Sequence, residues 1–306
     1  MKLSILIINY NKKDYLSECL ESINRHVCIQ HEVIVVDNAS SDDSCEFVRE
    51  NFPDVNLIAS KRNLGFSGGN NLGAAHAKGE ILLLLNNDTR LISSLSPAIN
   101  KFDTHKQLGV LGCRMYYGDG SFQPSFGFEH DPLRQVLSWL GLGSYLLLPN
   151  IFKRVDVDER RYSFYQYDVA WVSGAFMMTR RDLWEKLGGL DERYFMYVED
   201  VDYCKRVRET GYRVCYTPYV KIIHYQGAGS AWIGENALLN TKRSYLLYTK
   251  KFYGKYSVVF LRTGLCIVMF LRAIAFYFLS LFSKSIVAKE KAKAFMKVSF
   301  QLLINK

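Results

Sequence analysis

Three short aliphatic runs in this chain end in clusters of amides and carboxylates: Asn9-Tyr10-Asn11, Asp37-Asn38 and Asn86-Asn87-Asp88. Asp88 is a hard oxygen ligand between two amides and the polar chain beyond. Such a carboxylate suits Mg²⁺ or Mn²⁺, which take one or two protein carboxylates and fill the remaining positions from phosphates and water. Further on, Glu199-Asp200-Val201-Asp202 sets three carboxylates in four positions, directly after the aromatic stretch Tyr194–Tyr197. A helix N-terminus favours acids, but helical geometry points these three in different directions. At least one is then free to face a cleft as a general base for a hydroxyl. His224 closes a β-branched run and precedes a Gly/Ser segment, where an imidazole could join Asp88 on a cation. Each residue also has an ordinary reading: Asp37 as a turn residue, Asp88 as the cap of a helix after it, His224 as a packed strand end.

A parallel sheet would bring such strand ends together, and the chain reads as one. Buried-strand runs at Leu3–Ile8, Glu32–Asp37, Val55–Ala59 and Ile81–Leu85 alternate with helical patterns. In the first of these, Tyr15, Leu16, Cys19, Leu20 and Ile23 share one face. Gly109–Tyr116 continues the series. Residues 117–168 are rich in Gly, Pro and aromatics, with a weak helical pattern at 133–142. Phe122, Phe126, Phe128, Trp139 and Tyr165 are sugar-stacking or core aromatics. Strands are then expected at Trp171–Met178, Tyr194–Tyr197, Tyr212–Thr217 and Val220–His224, with a helix from about Glu199 to Glu209. The rhythm predicts an α/β fold with a mainly parallel, Rossmann-like sheet flanked by helices, whose ligands lie beyond the carboxyl ends of the strands.

Several functions are excluded early. The glycine segment Asn63–Asn70 opens a helix and suits close backbone approach to a diphosphate. It follows the third strand rather than the first, so it is not a GxGxxG dinucleotide fingerprint, and no Gly-Lys-Ser/Thr marks a phosphate-binding P-loop. Seven cysteines without CxxC spacing read as reduced thiols of a cytosolic chain. The apolar run at the N-terminus is too short for an export signal. The formal charge of +9 is unevenly placed: 13 basic residues against Glu290 alone from residue 242 onward, 26 against 29 acidic ones before it. A mildly acidic body argues against nucleic acid as a partner.

In order along the chain, Leu6–Asn11, Val33–Ser41, Arg62–Asn71, Leu85–Asp88, Trp171–Ala175, Gly189–Glu192, Tyr197–Asp202 and His224 resemble the inverting family-two glycosyltransferases of GT-A fold. The likeness is strongest to their rhamnosyltransferase-like branch. The resemblance implies transfer of a sugar from a nucleoside-diphosphate sugar, such as dTDP-rhamnose, to a glycan or lipid-linked glycan in cell-surface polysaccharide synthesis. It implies Asp200 as catalytic base with Glu199 as rival, and Asp88 and His224 on a divalent metal. It puts Asn11, Asp37, Arg62, Asn63, Gly65, Asn70, Asn86 and Asn87 around the donor, with Trp171 and Gly174 at the sugar and acceptor pocket. Asn86 stands where the family carries the first acid of its Asp-x-Asp motif. A single displacement with one base inverts the anomeric centre. Two other classes stay open, a non-catalytic GT-A scaffold and a sugar nucleotidyltransferase.

Residues 1–241 are therefore expected to form the catalytic domain, with a nucleotide-sugar half to about 116 and an acceptor half beyond. Residues 242–306 form a basic, apolar helical tail. Arg262 and Arg272 interrupt its apolar stretch. Lys255, Arg262, Arg272, Ser280, Ser283 and Lys284 fall within roughly a third of the helix circumference. An amphipathic helix lying in the membrane interface with that polar stripe outward fits the pattern, at the cytoplasmic face of the inner membrane, peripheral or monotopic. Packing of the tail on the catalytic domain or on a second subunit of an oligomer is the other reading.

Overall fold

The structure, a computed structural model, describes residues 1–140, 158–225, 234–283 and 285–304. In chain order the elements are β1 (Leu3–Asn9), α1 (Lys13–His26), β2 (His31–Asp37), α2 (Ser44–Asn51), β3 (Asn56–Ala59), α3 (Gly65–Ala75), β4 (Ile81–Asn86), β5 (Thr89–Leu91), α4 (Ser96–Thr104) and β6 (Leu108–Tyr116). They continue with β7 (Phe122–Gln123), β8 (Phe126–Gly127), α5 (Pro132–Trp139), β9 (Trp171–Val172), β10 (Phe176–Arg180), α6 (Arg181–Leu187), α7 (Glu199–Glu209), β11 (Arg213–His224), α8 (Gly234–Ser283) and α9 (Ile286–Ile304). Contacts divide the chain into two units. One comprises Met1–Phe128 and Val155–Gly229, the other Glu129–Arg154 and Ser230–Lys306.

The first unit is built on a sheet of order β3-β2-β1-β4-β10-β6-β11-β5, with β7 on β6. β3, β2, β1 and β4 run parallel, as do β6 and β11, while β10 and β5 run against their neighbours. Aliphatic side chains occupy both faces, as a sheet covered on both sides requires. Ile5, Ile7, Val35 and Leu83 join a cluster with Leu16, Leu20 and Ile23 of α1. Leu6, Val36, Leu82 and Leu84 join the other, with Leu183, Trp184 and Val207. Pairing sets Asn9 beside Asp37 and Ile8 beside Asn86. The carboxyl ends of β1, β2, β4, β6 and β11 thus share one edge.

Three expectations need correction. Trp171–Met178 is two strands, because the chain turns at Ser173-Gly174-Ala175 and β10 reverses to pair with β4. Tyr212–Thr217 and Val220–His224 are one strand, β11, with a register shift between Thr217 and Lys221. Tyr194–Tyr197 is not a strand: Tyr197 and Val198 both adopt left-handed conformations, φ +73° and +71°, which no extended ladder accepts. Of the aromatics, Phe126 and Phe122 belong to a ring cluster with Tyr162, and Tyr165 packs at the edge of the core.

In the second unit, Leu238, Leu261, Leu265, Met269, Phe295, Val298 and Leu302 form a common core, against which Val136 and Trp139 of α5 pack. Gly264 lets α5 come close, since a Cβ there would meet Val136 Cγ2 at 2.6 Å. α8 is broken at Gly254 (φ +81°) into segments 234–253 and 255–283. α9 runs back along the second segment: Cys266 meets Ser299, and the rings of Phe276 and Phe295 stack 5.6 Å apart. The tail's polar stripe is not uniformly outward. Arg272 is half-buried, its Nε donating to the Trp139 carbonyl at 2.8 Å, and Arg262 is half-buried too. A guanidinium on an otherwise apolar helix finds its acceptor on the protein side. Lys255 and Ser283 are exposed, Ser280 is half-buried, and Lys284 lies outside the described residues.

Candidate functional site

At the carboxyl edge of the sheet a cleft of about 360 Å³ is lined by Tyr10, Lys12, Tyr15, Asn38, Asn63, Gly65, Phe66, Asn86, Asn87, Asp88, Phe195, Met196 and Tyr225, with Ile8 at its floor. Asp88 follows β4, and its backbone carbonyl accepts from the Tyr225 amide at 2.9 Å, which ties the ends of β4 and β11 together. Its side-chain Oδ1 is buried, no donor among the described residues reaches it, and it lies 3.3 Å from His224 Nε2. The Asn86 amide nitrogen lies 3.3 Å from that same Nε2 and Gln123 Oε1 lies 3.2 Å from Nδ1, an arrangement that fits the tautomer with its proton on Nδ1. In that tautomer two acceptors face each other across a buried gap, while an outer amide oxygen holds the ring. That is the tautomer and support of a metal-ligating imidazole. The described residues hold no cluster of three or more His, Cys, Asp or Glu side chains. A carboxylate and an imidazole are a fitting pair for a hard cation that completes its shell from phosphate and water.

Asp37 sits differently from the residues of the cleft wall. It is 2% exposed, and its carboxylate accepts from Ser40 N (2.8 Å), Ser40 Oγ (2.6 Å) and Asn9 Nδ2 (3.0 Å). Asn9, fully buried, accepts in turn from Asn87 Nδ2 at 2.8 Å. Asn11 is exposed with φ +51°, and its side-chain oxygen takes the Ser41 amide. Asp37, Asn9, Asn11 and Ser40 thus build the turns beside the cleft. Arg62 is exposed, next to Asn63.

The glycine segment is a packing device. A Cβ on Gly65 (φ +71°) would lie 2.4 Å from the Phe195 carbonyl, and one on Gly69 would lie 2.9 Å from Ile8. The amides of Leu64, Gly65 and Phe66 already have acceptors in Asn38 Oδ1, Asn63 Oδ1 and the Phe195 carbonyl. The open phosphate cradle expected at this helix start is thus filled by the protein's own oxygens. Asn70 is buried, donating to the Phe66 carbonyl.

Asp200 and Glu199 open α7. Asp200 Oδ2 accepts from the Gly174 amide at 2.9 Å, and Oδ1 from the Val201 amide at 2.8 Å. Gly174 sits between Phe66 of the cleft wall and Asp200: a Cβ there would lie 3.3 Å from the Phe66 ring and 3.6 Å from Asp200 Cβ. Glu199 is 6% exposed, and its Oε2 has no hydrogen-bond partner among the described residues. Burial pushes its carboxyl well above the usual range, and the Asp200 charge pushes the same way. Burial also raises Asp200, opposed by the Gly174 and Val201 amides. The pair is thus split, with Asp200 ionising first and Glu199 holding its proton. The third acid, Asp202, is fully buried and paired with Arg206 at 2.7 Å. Trp171 is half-buried, its Nε1 donating to the Phe128 carbonyl.

Tyr10 and Asn38 stand in the sequence only as members of the strand-end clusters, and Lys12, Tyr15, Phe66, Phe195, Met196 and Tyr225 are cleft walls that the sequence reading does not contain. By its spacing Tyr15 belongs to the buried face of α1, yet it is 38% exposed, with the Lys12 ammonium 5.2 Å from its ring centroid. Its place in the first turn after β1 was the available signal. The Gly/Ser sequel of His224 beyond Tyr225 lies outside the described residues.

The chain is 26% identical over 241 residues to the N-acetylglucosaminyl-diphospho-decaprenol L-rhamnosyltransferase of Mycobacterium tuberculosis, covering 73% of this chain and 76% of that one. It is 26% identical over 228 residues to the rhamnosyltransferase WbbL of Escherichia coli, covering 72% and 82%. Among solved structures, a mannosyltransferase from Pyrobaculum calidifontis, in complex with GDP-Man and Mn²⁺, superposes with TM-score 0.58 at 16% identity over 100% of this chain and 88% of its own. GalNAc-T7 superposes with TM-score 0.60 at 15% identity, over 84% and 49%. The fold is of GT-A type. Residues 4–188 match glycosyl transferase family 2, and the chain belongs to that family.

Proposed function

We propose that the protein is an inverting, metal-dependent glycosyltransferase that moves a sugar from a nucleoside-diphosphate sugar to a lipid-linked glycan in cell-surface polysaccharide synthesis. The rhamnosyltransferase relatives favour a rhamnose donor such as dTDP-rhamnose. The observation that carries the reading is the orphaned Asp88 Oδ1 facing His224 Nε2 at 3.3 Å on the wall of the 360 Å³ cleft. Asp88 and His224 would hold Mg²⁺ or Mn²⁺. When bound, the cation stabilises negative charge on the departing diphosphate without proton transfer.

The chain's own groups supply the rest. Tyr10, Tyr15 and Phe195 offer flat faces to the nucleotide, and Asn38, Asn63, Asn86 and Asn87 offer amides to its polar edges. Lys12 places a cation at the same mouth. Asp37, Asn11 and Asn70 hold the turns and the helix start that carry this wall, while Arg62 and Gly65 flank it. Asp200, kept in place by the Gly174 amide, takes the proton of the acceptor hydroxyl as that oxygen bonds to the anomeric carbon. The bond to the diphosphate oxygen breaks on the opposite face, giving inversion. Trp171 and Gly174 lie on the acceptor side. The basic residues after 242 hold the enzyme to the cytoplasmic face of the membrane, where a lipid-linked acceptor is presented.

The test is thermal unfolding of the full chain with a panel of nucleoside-diphosphate sugars, with and without Mn²⁺. A donor at 100 times its Kd stabilises the native state by about 2.7 kcal/mol. The expected result is a donor shift that Mn²⁺ enlarges, with the enlargement lost in Asp88→Ala. An Asp88→Ala protein that keeps both the Mn²⁺ effect and transfer removes Asp88 from the site.

A further inference from the structure

Segment 255–283 of α8 carries a mainly apolar exterior, with Thr263 as the polar residue within it. Val259, Phe260, Ile267, Phe270, Leu271 and Phe278 are all large and exposed. At about 100° per residue they fall in one stripe roughly 120° wide. Arg262 and Arg272, both half-buried, lie on the opposite side, and Arg272 is held there by the Trp139 carbonyl. An exposed apolar surface this long marks an interaction site. We infer that α9 and segment 255–283 of α8 form a hairpin embedded flat in one leaflet of an anionic bilayer. The outer face of segment 255–283 lies among the acyl chains, the arginines face the protein, and the exposed lysines of α9 lie at the headgroups.

Length and composition alone would let this part of α8 cross a membrane. The pairing with α9 argues otherwise. α9 runs antiparallel along the segment, so both helices would have to cross together. Lys293 is exposed near the middle of α9 with Lys289 on the same stripe, while Lys297 pairs with Glu235 at 2.6 Å. In a crossing hairpin these ammonium groups would sit deep in hydrocarbon, beyond the reach of snorkelling. In a flat hairpin they meet lipid phosphates. Charge complementarity selects the bilayer over a second copy of this chain: between residues 242 and 306 Glu290 is the sole acid, and two such surfaces would repel.

This rests on the membrane association proposed above and adds an orientation to it. The experiment is co-sedimentation of the full chain with phosphatidylcholine vesicles, with or without phosphatidylglycerol, at low and high salt. Ile267→Asp/Phe278→Asp should lose binding by about tenfold or more per substitution at either salt, with its melting temperature unchanged because both side chains are exposed. Lys289→Gln/Lys293→Gln should lose about fivefold per lysine, only with phosphatidylglycerol and only at low salt. A membrane-impermeant amine reagent added outside the vesicles should label Lys289 and Lys293. Protection of both lysines means the hairpin crosses and overturns the orientation. Wild-type binding by the aspartate variant overturns the lipid-facing assignment. A wild-type dimer that this variant dissolves assigns the face to a second copy. Failure of the wild type to bind any vesicle rejects the membrane association itself.

Discussion

Asp200 and Glu199 are adjacent acids with different solvation, and this difference gives each a measurable signature. Asp200→Asn should keep the donor-induced thermal shift and lose transfer by about 10²–10⁴, the usual cost of removing a general base. Glu199 supplies the pH dependence. In the unfolded chain it titrates near the ordinary glutamate value, while in the folded protein burial and Asp200 hold its proton to much higher pH. The native state then binds more protons across that interval, so stability falls as pH rises through it. Glu199→Gln should flatten this decline, read as melting temperature against pH. A Gln variant with the wild-type slope would show that Glu199 is not the group responsible. The types of these residues were legible in the sequence, as was the cluster they form. Which acid is buried was not, because that depends on Gly174 and Phe66, and on a turn read as a strand.

That turn belongs to the scale of elements. α7 starts from two consecutive left-handed residues, and Val198 is the more strained, since a β-branched side chain is seldom found at φ +71°. Val198 is also buried, so removing its side chain forfeits apolar contact whatever replaces it. Comparing two replacements isolates the backbone: Val198→Gly should be more stable than Val198→Ala by about 1 kcal/mol, reversing the usual order. With α7 less firmly aimed, the Gly variant should show a lower kcat and an unchanged donor KM. Denaturant midpoints and steady-state rates check the two halves separately. The first four strands and α1 were readable because aliphatic runs and their intervening helical pattern are local signals. β5, the reversal at Ser173–Ala175 and the single long β11 are set by pairing between distant segments, which no local pattern reports.

For the chain as a whole, the distribution of charge was legible by counting, and the grouping of its parts was not. α5 lies in sequence amid the acceptor half but packs with Leu238, Leu261 and their neighbours. Cutting the chain after Thr241 would strip Val136 and Trp139 of most of that cover while leaving them in place. The truncated protein should therefore elute as aggregate in size-exclusion chromatography, where the full chain in detergent stays dispersed. A well-behaved monomer from that cut would mean α5 finds other cover.

Asn9 spans two turns with one amide, giving a hydrogen to Asp37 and taking one from Asn87. No other side chain of its size both donates and accepts in this way. Any single replacement at position 9 or 37 strands a buried polar atom or sets two carboxylates side by side, at about 1–3 kcal/mol. Exchanging the pair, Asn9→Asp with Asp37→Asn, restores a donor opposite an acceptor. The two positions should therefore show strong epistasis, the double exchange being more stable than the sum of its steps in a double-mutant cycle. A lineage could cross between the two arrangements only through an intermediate less fit than either end.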